Sequence, residues 1–328
     1  MVNLKNIPII LFSIIIFGQA PAGQSKTKPI VQVAAESETG VSDQTLKKIV
    51  ASLREQESLL KNGLVLHYTI TRKPGEAAMR KYKEVVGAEI DKSFEVHDVE
   101  AIFSGRKMWE RQKRFGVDGK LTLMSSFSWN GTNGKRLIIS GKTGVKKGWN
   151  NYNPSSRRSN PTGTQNILLI LGLLGTQEQS LSDFITNHVE EIEMSQKGPE
   201  ILLKFSAMKD KLDYSVVLDS KYGFWPKQIT QIFRNAKESG ADLGDLKYEY
   251  RDIEFGKTNV KGINVFYPKK MRYISYVGSK FFGKEKSGTS GELYPIVVDE
   301  ISIQSIRFDQ EIQDDRFQLT FPEDTIIQ

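Results

Sequence analysis

The sequence predicts a mainly β protein (α+β) built on one large curved antiparallel sheet or barrel, which a helix precedes. From residue 64 onward, most segments alternate apolar and polar residues with the period of two that half-buried strands show. Turn-forming pairs such as Asp118-Gly119 and Asn130-Gly131 separate several of these segments. The connections are too short for parallel crossovers, so successive strands are expected to pair in antiparallel fashion.

Residues 1–22 have the pattern of a secretory signal. Lys5 makes a short basic region, residues 7–17 are mainly apolar, and residues 20–22 form a small-x-small cleavage site. The apolar run is about half as long as a membrane-spanning helix. We therefore expect an exported, periplasmic protein, or a secreted one if the host lacks an outer membrane.

The exported part is predicted to consist of a flexible leader and a single domain. Residues 23–40 are small and polar without periodicity, which is typical of a leader, and residues 41–328 form the domain. The chain has no cysteine, which excludes disulfides, a thiol nucleophile, thiolate zinc sites and Fe–S centres. With only three histidines as well, we expect neither a metal ion nor a cofactor.

The first element of the domain is a helix from Ser42 to about Asn62. Ser42 can accept a hydrogen bond from a free N–H of the first turn, and apolar residues recur at helical spacing from Leu46 to Leu60. Gly63 ends this helix. The sequence therefore predicts one apolar stripe along the helix that packs on the sheet.

Strands are predicted from residue 64 to the C-terminus. In the first, over residues 64–71, Leu64, Leu66 and Tyr68 alternate with more polar residues and should share one face. The remaining predicted strands lie near residues 93–104, 106–115, 120–129, 135–140, 188–195, 200–206, 212–219, 226–235, 246–255, 263–277, 295–307 and 316–321.

The region 141–187 interrupts this alternation. Residues 141–166 are rich in Gly, Asn, Pro and Ser, which predicts an irregular loop. Residues 166–175 are apolar on every face, so a helix formed by them must be buried on all sides, and the interior of the sheet is the natural place. A further short helix is predicted from Ser180 to His188.

A known family shows the same order of elements. The residues that carry the similarity are the strand opening at Gly105–Arg111, the turn Asn133-Gly134-Lys135, the apolar helix 166–175 and the closing segment Arg316–Asp324. In these features the chain resembles the LolA/LolB-like superfamily of periplasmic lipoprotein carriers. The resemblance implies an unclosed antiparallel β half-barrel with an N-terminal helix and short apolar plug helices.

The resemblance also implies an exported soluble carrier or binding protein for a lipoprotein acyl group or another lipid. Arg111 stands at the position of the arginine that latches the helical lid in that family. From the residues alone, the apolar set fits a lipid cavity and an ordinary packed core equally well. The candidate ligand-binding residues are Leu64, Leu66, Tyr68, Trp109, Arg111, Ile167, Leu168, Leu171 and Leu174. The alternative is an envelope protein-interaction or stress-sensing module on the same fold, without lipid transfer.

Charge is segregated along the chain. Residues 119–177 contain eight basic side chains and no acidic one, whereas the segment from Glu292 onward contains nine acidic residues and two arginines. This pattern fits either solvated loops with lysine-protected sheet edges, or a positive face for anionic lipid headgroups or an acidic partner. The candidate docking residues are Lys146, Lys147, Arg157, Arg158, Phe281 and Phe282.

The expected partners are therefore a lipid or an acylated lipoprotein, with an anionic membrane surface or an envelope protein as further candidates. Phe281 and Phe282 lie at a basic hairpin tip, where they either enter a bilayer interface or fold back on the core. We expect no nucleic-acid partner, because an exported chain without a nucleic-acid-binding motif has no such role. The protein is expected to be a monomer.

Catalytic motifs are missing from the sequence. It has no G-x-S-x-G, H-E-x-x-H or G-x-x-x-x-G-K-[ST] pattern. His97 and Asp98 are adjacent, but neighbours on a strand point to opposite faces and make a poor dyad. We therefore expect no enzyme and no catalytic residues, with a hydrolase as the third-ranked functional class.

Overall fold

The computed structural model describes residues 39–86, 95–105, 107–151, 180–207, 212–238, 241–278 and 293–328. The predicted signal, nearly all of the predicted leader and the predicted apolar helix 166–175 lie outside these residues. Within the described ranges, no helix combines the length and the apolar character needed to cross a membrane.

Three helices and fifteen strands make up the described chain. The helices are α1 (Asp43–Lys61), α2 (Glu76–Val86) and α3 (Leu181–Asn187). The first eight strands are β1 (Thr39–Gly40), β2 (Leu64–Pro74), β3 (Glu95–Ser104), β4 (Lys107–Phe115), β5 (Leu121–Trp129), β6 (Gly134–Ser140), β7 (Lys146–Asn150) and β8 (Glu193–Lys197). The others are β9 (Glu200–Ala207), β10 (Leu212–Asp219), β11 (Trp225–Glu238), β12 (Ala241–Val260), β13 (Ile263–Gly278), β14 (Leu293–Phe308) and β15 (Ile326–Ile327).

All fifteen strands belong to one sheet, which is not closed into a barrel. The order is β1-β8-β9-β10-β11-β12-β13-β14-β2-β3-β4-β5-β6-β7-β15. The sheet therefore consists of two meanders, the first from β2 to β7 and the second from β8 to β14, which are joined where β14 pairs with β2. Among the described pairs, only β15 and β7 run parallel. The predicted fold class, a mainly β protein with an unclosed antiparallel half-barrel, is confirmed.

One face of the sheet packs against α1, and we call it the inner face. Leu64, Leu66 and Tyr68 of β2 lie on it, and the register places Val99 and Ala101 of β3 beside them. All five side chains are buried in the same core as the apolar stripe of the helix. The alternation predicted for the first strand and the helical stripe predicted for α1 therefore meet.

Helix α1 begins and is held as the sequence predicts. The Ser42 hydroxyl accepts a hydrogen bond from the Thr45 N–H at 3.2 Å, so Ser42 is the N-cap. On the helix, the Ser52 hydroxyl donates to the Gly223 carbonyl at 3.0 Å, and the buried Glu57 carboxylate accepts from the Ser182 N–H at 3.0 Å. These contacts attach α1 both to the β10–β11 connection and to α3.

The C-terminal segment 309–328 crosses the opposite, outer face of the first meander. Lys107 of β4 donates to Asp314 at 2.5 Å, and Lys146 of β7 donates to Asp324 at 2.5 Å. Phe317 between them is 2% exposed and anchors the segment. The acidic end of the sequence thus neutralises part of the basic segment within the same chain.

Three sequence-based predictions need correction. Residues 316–321 are not a strand, since Asp314–Phe317 forms a 3-10 helix whose Phe317 is the single buried residue. The strand predicted over 188–195 begins only at Glu193, because Val189–Glu191 is a 3-10 turn that continues α3. The loop predicted over 141–166 contains strand β7, and helix α2 was not predicted.

Candidate functional site

The inner face carries a group of polar and ionisable side chains on the strands around the β14–β2 junction. Their positions on one face follow from the register, because each lies directly across from, or two residues along from, a member on the next strand. We call this group the polar cluster. It comprises Arg72, Glu95, His97, Glu110, Gln112, Arg114, Ser125, Arg136 and Asp299.

Arg72 and Asp299 form a two-fold hydrogen bond across the β14–β2 junction. The Arg72 Nε donates to Asp299 Oδ1 at 2.8 Å, and its Nη2 donates to Oδ2 at 2.7 Å. Asp299 is 1% exposed. Burial lowers the pKa of Arg72, but the hydrogen bond and the charge of Asp299 outweigh it, so the pKa lies above its ordinary value. This pair is a fixed, charged part of the inner face.

His97 connects two further strands through both of its ring nitrogens. Its Nε2 lies 2.9 Å from Glu95 Oε2, and its Nδ1 lies 2.9 Å from the Gln112 amide nitrogen. Because the Gln112 amide donates to Nδ1, the neutral imidazole carries its proton on Nε2 and donates it to Glu95. Burial lowers the pKa of His97, and the charges of Arg72 and Arg114 lower it further.

Arg114 and Arg136 lie at the far side of the cluster from Asp299. Arg114 donates through Nε to the Gln112 side-chain oxygen at 3.3 Å. Burial lowers the pKa of Arg114, and the nearby charges of Arg72 and Arg136 lower it too. The Arg136 guanidinium lies 5.9 Å from the centre of the Trp149 ring. The inner face of β4 and β6 therefore carries two arginines and one acid, Glu110.

Ser125 of β5 lies between these two arginines. It is 3% exposed, and its hydroxyl has no hydrogen-bond partner among the described residues. Its register partners are Gln112 on one side and Ile138 on the other. A buried hydroxyl without a partner is uncommon, since the lost hydrogen bond to water costs about 1–3 kcal/mol.

Tyrosine rings border the cluster on the β12–β13 side. Tyr273 lies opposite Asp299 in the register, and its ring centroid is 4.9 Å from that of Tyr250 and 6.2 Å from that of Tyr248. Burial raises the pKa of Tyr250 and Tyr273 well above the ordinary value, so both phenols are neutral. They form a neutral aromatic wall beside the charged pair.

The side chains of the polar cluster are held in place largely by one another. Both nitrogens of His97 already make hydrogen bonds, and the cluster contains neither a lysine nor a cysteine. In the part of the chain that the structure describes, no three acidic or histidine side chains come together as metal ligands would. What the cluster offers a ligand is fixed charge and hydrogen-bonding groups.

The sequence-predicted ligand residues divide between the two faces. Leu64, Leu66 and Tyr68 lie on the inner face, but they are fully buried beneath α1 and serve as core. Trp109 and Arg111 lie on the outer face, since they alternate with the inner-face residues of β4. The predicted placement of these five on one face is therefore corrected, whereas their ligand-binding role stays a prediction. The other predicted members, Ile167, Leu168, Leu171 and Leu174, lie outside the described residues.

Arg111 has its own partner on the outer face. Its Nη2 donates to both carboxylate oxygens of Glu100, at 2.9 and 2.8 Å, and its guanidinium lies 5.8 Å from the Trp109 ring centre. This position faces away from α1. Arg111 therefore joins β3 to β4, and the latch role implied by the family resemblance stays a prediction.

The predicted docking residues are mostly outside the described chain. Arg157, Arg158, Phe281 and Phe282 are not described, so their predicted role remains untested. Lys146 is occupied by both carboxylate oxygens of Asp324, at 2.5 and 2.7 Å. Lys147, the next residue of β7, is exposed to solvent.

Sequence reasoning missed the polar cluster, although one signal was present. The inner-face residues of β4 are Met108, Glu110, Gln112 and Arg114. Charged residues therefore occupy positions that are apolar in an ordinary core strand. His97 likewise takes a buried position in β3. Charged residues at the inward-facing positions of neighbouring strands indicate a polar site on the inner face of a sheet.

Comparison with known proteins leaves the chain without an assigned family. No family model matches it, and no curated protein matches its sequence. Among solved structures, it is similar to a DUF1329 family protein from Desulfovibrio piger, with 8% identity, a TM-score of 0.40, and coverage of 83% of this chain and 97% of that one. That TM-score does not establish a shared fold.

Two further structural similarities are weaker. An acetoacetate decarboxylase-like enzyme from Sphingomonas wittichii aligns with 7% identity and a TM-score of 0.11, over 74% of this chain and 89% of the other. An enduracididine biosynthesis enzyme aligns with 10% identity and a TM-score of 0.11, over 75% and 88%. Neither carries an argument about activity.

Proposed function

We propose that this chain is an exported binding or carrier protein for a lipid or a lipoprotein acyl group, which it holds on the inner face of the half-barrel. The observation that carries the proposal is the amphiphilic character of that face. Apolar side chains and the polar cluster alternate there within one or two residues of each other. An amphiphile has the same two kinds of surface joined in one molecule.

The half-buried apolar side chains of the inner face provide the acyl contact. They lie on β5, β6 and β7 beside the cluster, and they are Leu123, Trp129, Ile138 and Trp149. Each CH₂ group that leaves water contributes about 0.8 kcal/mol, so a chain of a dozen carbons binds through apolar contact alone. The unclosed sheet gives such a ligand a way in from its edge.

The first test is native mass spectrometry of the chain, expressed from its full sequence and purified without detergent, followed by organic extraction. A discrete added mass that extracts as lipid is the expected result. Binding of a fluorescent acyl probe then tests the site itself. Ile138→Gln should weaken probe binding several-fold, since it places an amide against the acyl chain.

The matched control is Ile139→Gln, which makes the same change one residue along on the outer face. It should leave probe affinity unchanged. A bare protein mass together with no probe uptake would contradict the proposal and favour the interaction module. Equal losses in both variants would show that the probe does not sit on the inner face.

A further inference from the structure

We propose that the ligand carries an anionic headgroup, a carboxylate or a phosphate, and that Arg114, Ser125 and Arg136 hold it on the inner face. This inference rests on the proposed function and names the chemical class of its ligand. The three residues come from three consecutive strands, β4, β5 and β6.

The register places Ser125 midway between the two arginines. Arg114 lies opposite Leu123, two residues before Ser125, and Arg136 lies opposite Phe127, two residues after it. Adjacent strands are about 4.8 Å apart and residues rise about 3.4 Å each, so each arginine Cα is about 8 Å from that of Ser125. An extended arginine side chain covers most of that distance, so both guanidinium groups can reach one anion above Ser125.

The Ser125 hydroxyl is the buried polar group that a ligand would satisfy. It is 3% exposed and lacks a hydrogen-bond partner in the described chain, while its neighbour Gln112 is already bonded to His97 and Arg114. A hydroxyl can donate to any anionic oxygen placed above the strand. A bound carboxylate or phosphate would therefore satisfy a buried polar group that the protein itself leaves unsatisfied.

On the inner face of β4, β5 and β6, two arginines stand against one acid, which leaves a net positive charge there. Strands β5, β6 and β7 carry no acidic residue, because none occurs between residues 119 and 177. Glu110 is the acid that shares the inner face nearest to Arg136, and an incoming anion would share the guanidinium groups with it. Guanidinium groups bind carboxylates and phosphates through two parallel hydrogen bonds, which gives both affinity and orientation.

The apolar surroundings give the remainder of an anionic amphiphile a place to bind. Leu123 and Phe127 flank Ser125 along β5, and Ile138 and Trp149 continue the inner face on β6 and β7. The headgroup site is therefore one residue away from the proposed acyl contact. A free inorganic anion would use only the first of these two surfaces.

The test compares three ligands of equal chain length, namely palmitate, hexadecanol and a palmitoyl lysophosphatidate, in competition with a fluorescent acyl probe. We expect palmitate or the lysophosphatidate to bind about tenfold or more tightly than hexadecanol. The stronger of the two anions identifies the headgroup as carboxylate or phosphate. Equal affinity for all three would overturn the inference and leave the proposed function standing, whereas no binding of any would overturn the proposed function.

Variants locate the site. Arg114→Gln and Arg136→Gln should each reduce affinity for the anion about tenfold and leave hexadecanol unchanged, and Ser125→Ala should have a smaller effect in the same direction. Lys113→Gln and Lys135→Gln remove the same charge one residue away on the outer face and should change neither. Anion affinity that follows the outer-face variants instead would refute the assignment.

If the variants fail to fold, a measurement on the unaltered chain tests the same attraction. Raising NaCl from about 0.05 M to about 0.5 M should weaken anion binding several-fold and leave hexadecanol binding unchanged, because salt screens the guanidinium–anion attraction. Anion binding that is independent of salt would count against the two arginines.

Discussion

His97 is a side chain whose protonation state follows directly from its neighbours. It is 1% exposed and bonded to Glu95 and Gln112, and it stands near the charges of Arg72 and Arg114. Burial lowers its pKa below the ordinary 6.5. The hydrogen bond from His97 also lowers the pKa of Glu95 below the ordinary 4.5, despite the opposing effect of burial.

Acid should therefore destabilise the fold through this pair. The unfolded chain takes up a proton on histidine as the pH falls through 6.5, whereas folded His97 does so only at a lower pH, so the free energy of unfolding decreases below 6.5. Folded Glu95 also binds its proton later than unfolded glutamate, which continues the decrease below 4.5. Urea unfolding midpoints at about pH 7.5 and about pH 5.5 measure the first part.

His97→Gln tests the assignment to this residue, since it removes the proton-binding group and should flatten the change between those two pH values. His67→Gln is the control, because His67 bonds Asp98 on the outer face and its loss leaves the His97 contacts intact. A pH dependence that disappears with His67 instead would contradict the prediction.

The orientation of some side chains could be predicted from the sequence. The opposite orientation of His97 and Asp98 follows from strand alternation and is confirmed, since one bonds Glu95 inside and the other bonds His67 outside. The Arg72–Asp299 pair could not be predicted. Its members are 227 residues apart, and only the register of β14 on β2 brings them together.

At the scale of elements, a buried carboxylate joins α1 to α3. Glu57 of α1 is 3% exposed and accepts hydrogen bonds from both the backbone N–H and the hydroxyl of Ser182 in α3. It also meets a helix N-terminus, where a negative charge is favourable. Glu57 therefore contributes two hydrogen bonds to the attachment of α3 to α1, beside the one that Arg54 donates to Thr186.

Glu57→Ala should lower the free energy of unfolding by about 2–3 kcal/mol, because it leaves buried donors of Ser182 without their charged acceptor. Glu55→Ala, on the exposed side of the same helix, should change it by less than about 0.5 kcal/mol. Urea denaturation followed by far-UV circular dichroism gives both values. A loss for Glu57→Ala no larger than for Glu55→Ala would refute this account.

The elements that sequence patterns missed are those held by distant parts of the chain. Helix α2 begins where the Gly75 N–H donates to the Ile296 carbonyl of β14 at 3.0 Å, and its Ala78 is buried in the core. Strand β7 has no apolar alternation, and its Gly148 leaves space for Thr325 and Ile327 of the C-terminal segment. By contrast, α1 and the long strands carry their own periodicity, and their predicted positions are confirmed.

At the scale of the whole molecule, the pairing of β14 with β2 makes two meanders into one structure. This pairing runs from Val297 to Phe308, and its inner-face residues Ile301 and Ile303 are buried in the common core. Separate unfolding of either meander would expose that core and break the Arg72–Asp299 pair. We therefore expect a single cooperative unfolding transition.

The four tryptophans allow this to be measured. Trp225 lies in the second meander, and the other three are in the first, so Trp225→Phe leaves fluorescence that reports the first meander alone. Its transition in urea should coincide with that of far-UV circular dichroism, which reports the whole sheet. Two separated midpoints would mean that the meanders unfold independently.

The strand order also determines when the sheet can be completed during synthesis. Every other pairing between long strands joins neighbours in sequence, whereas the β2–β14 pairing forms only after more than two hundred further residues have been made. Until then, β2 and β13 each present an unpaired edge. A chain that stops before Leu293 keeps both edges open permanently, and open edges of this kind recruit other chains. The last long strand is thus the element that covers both of these edges.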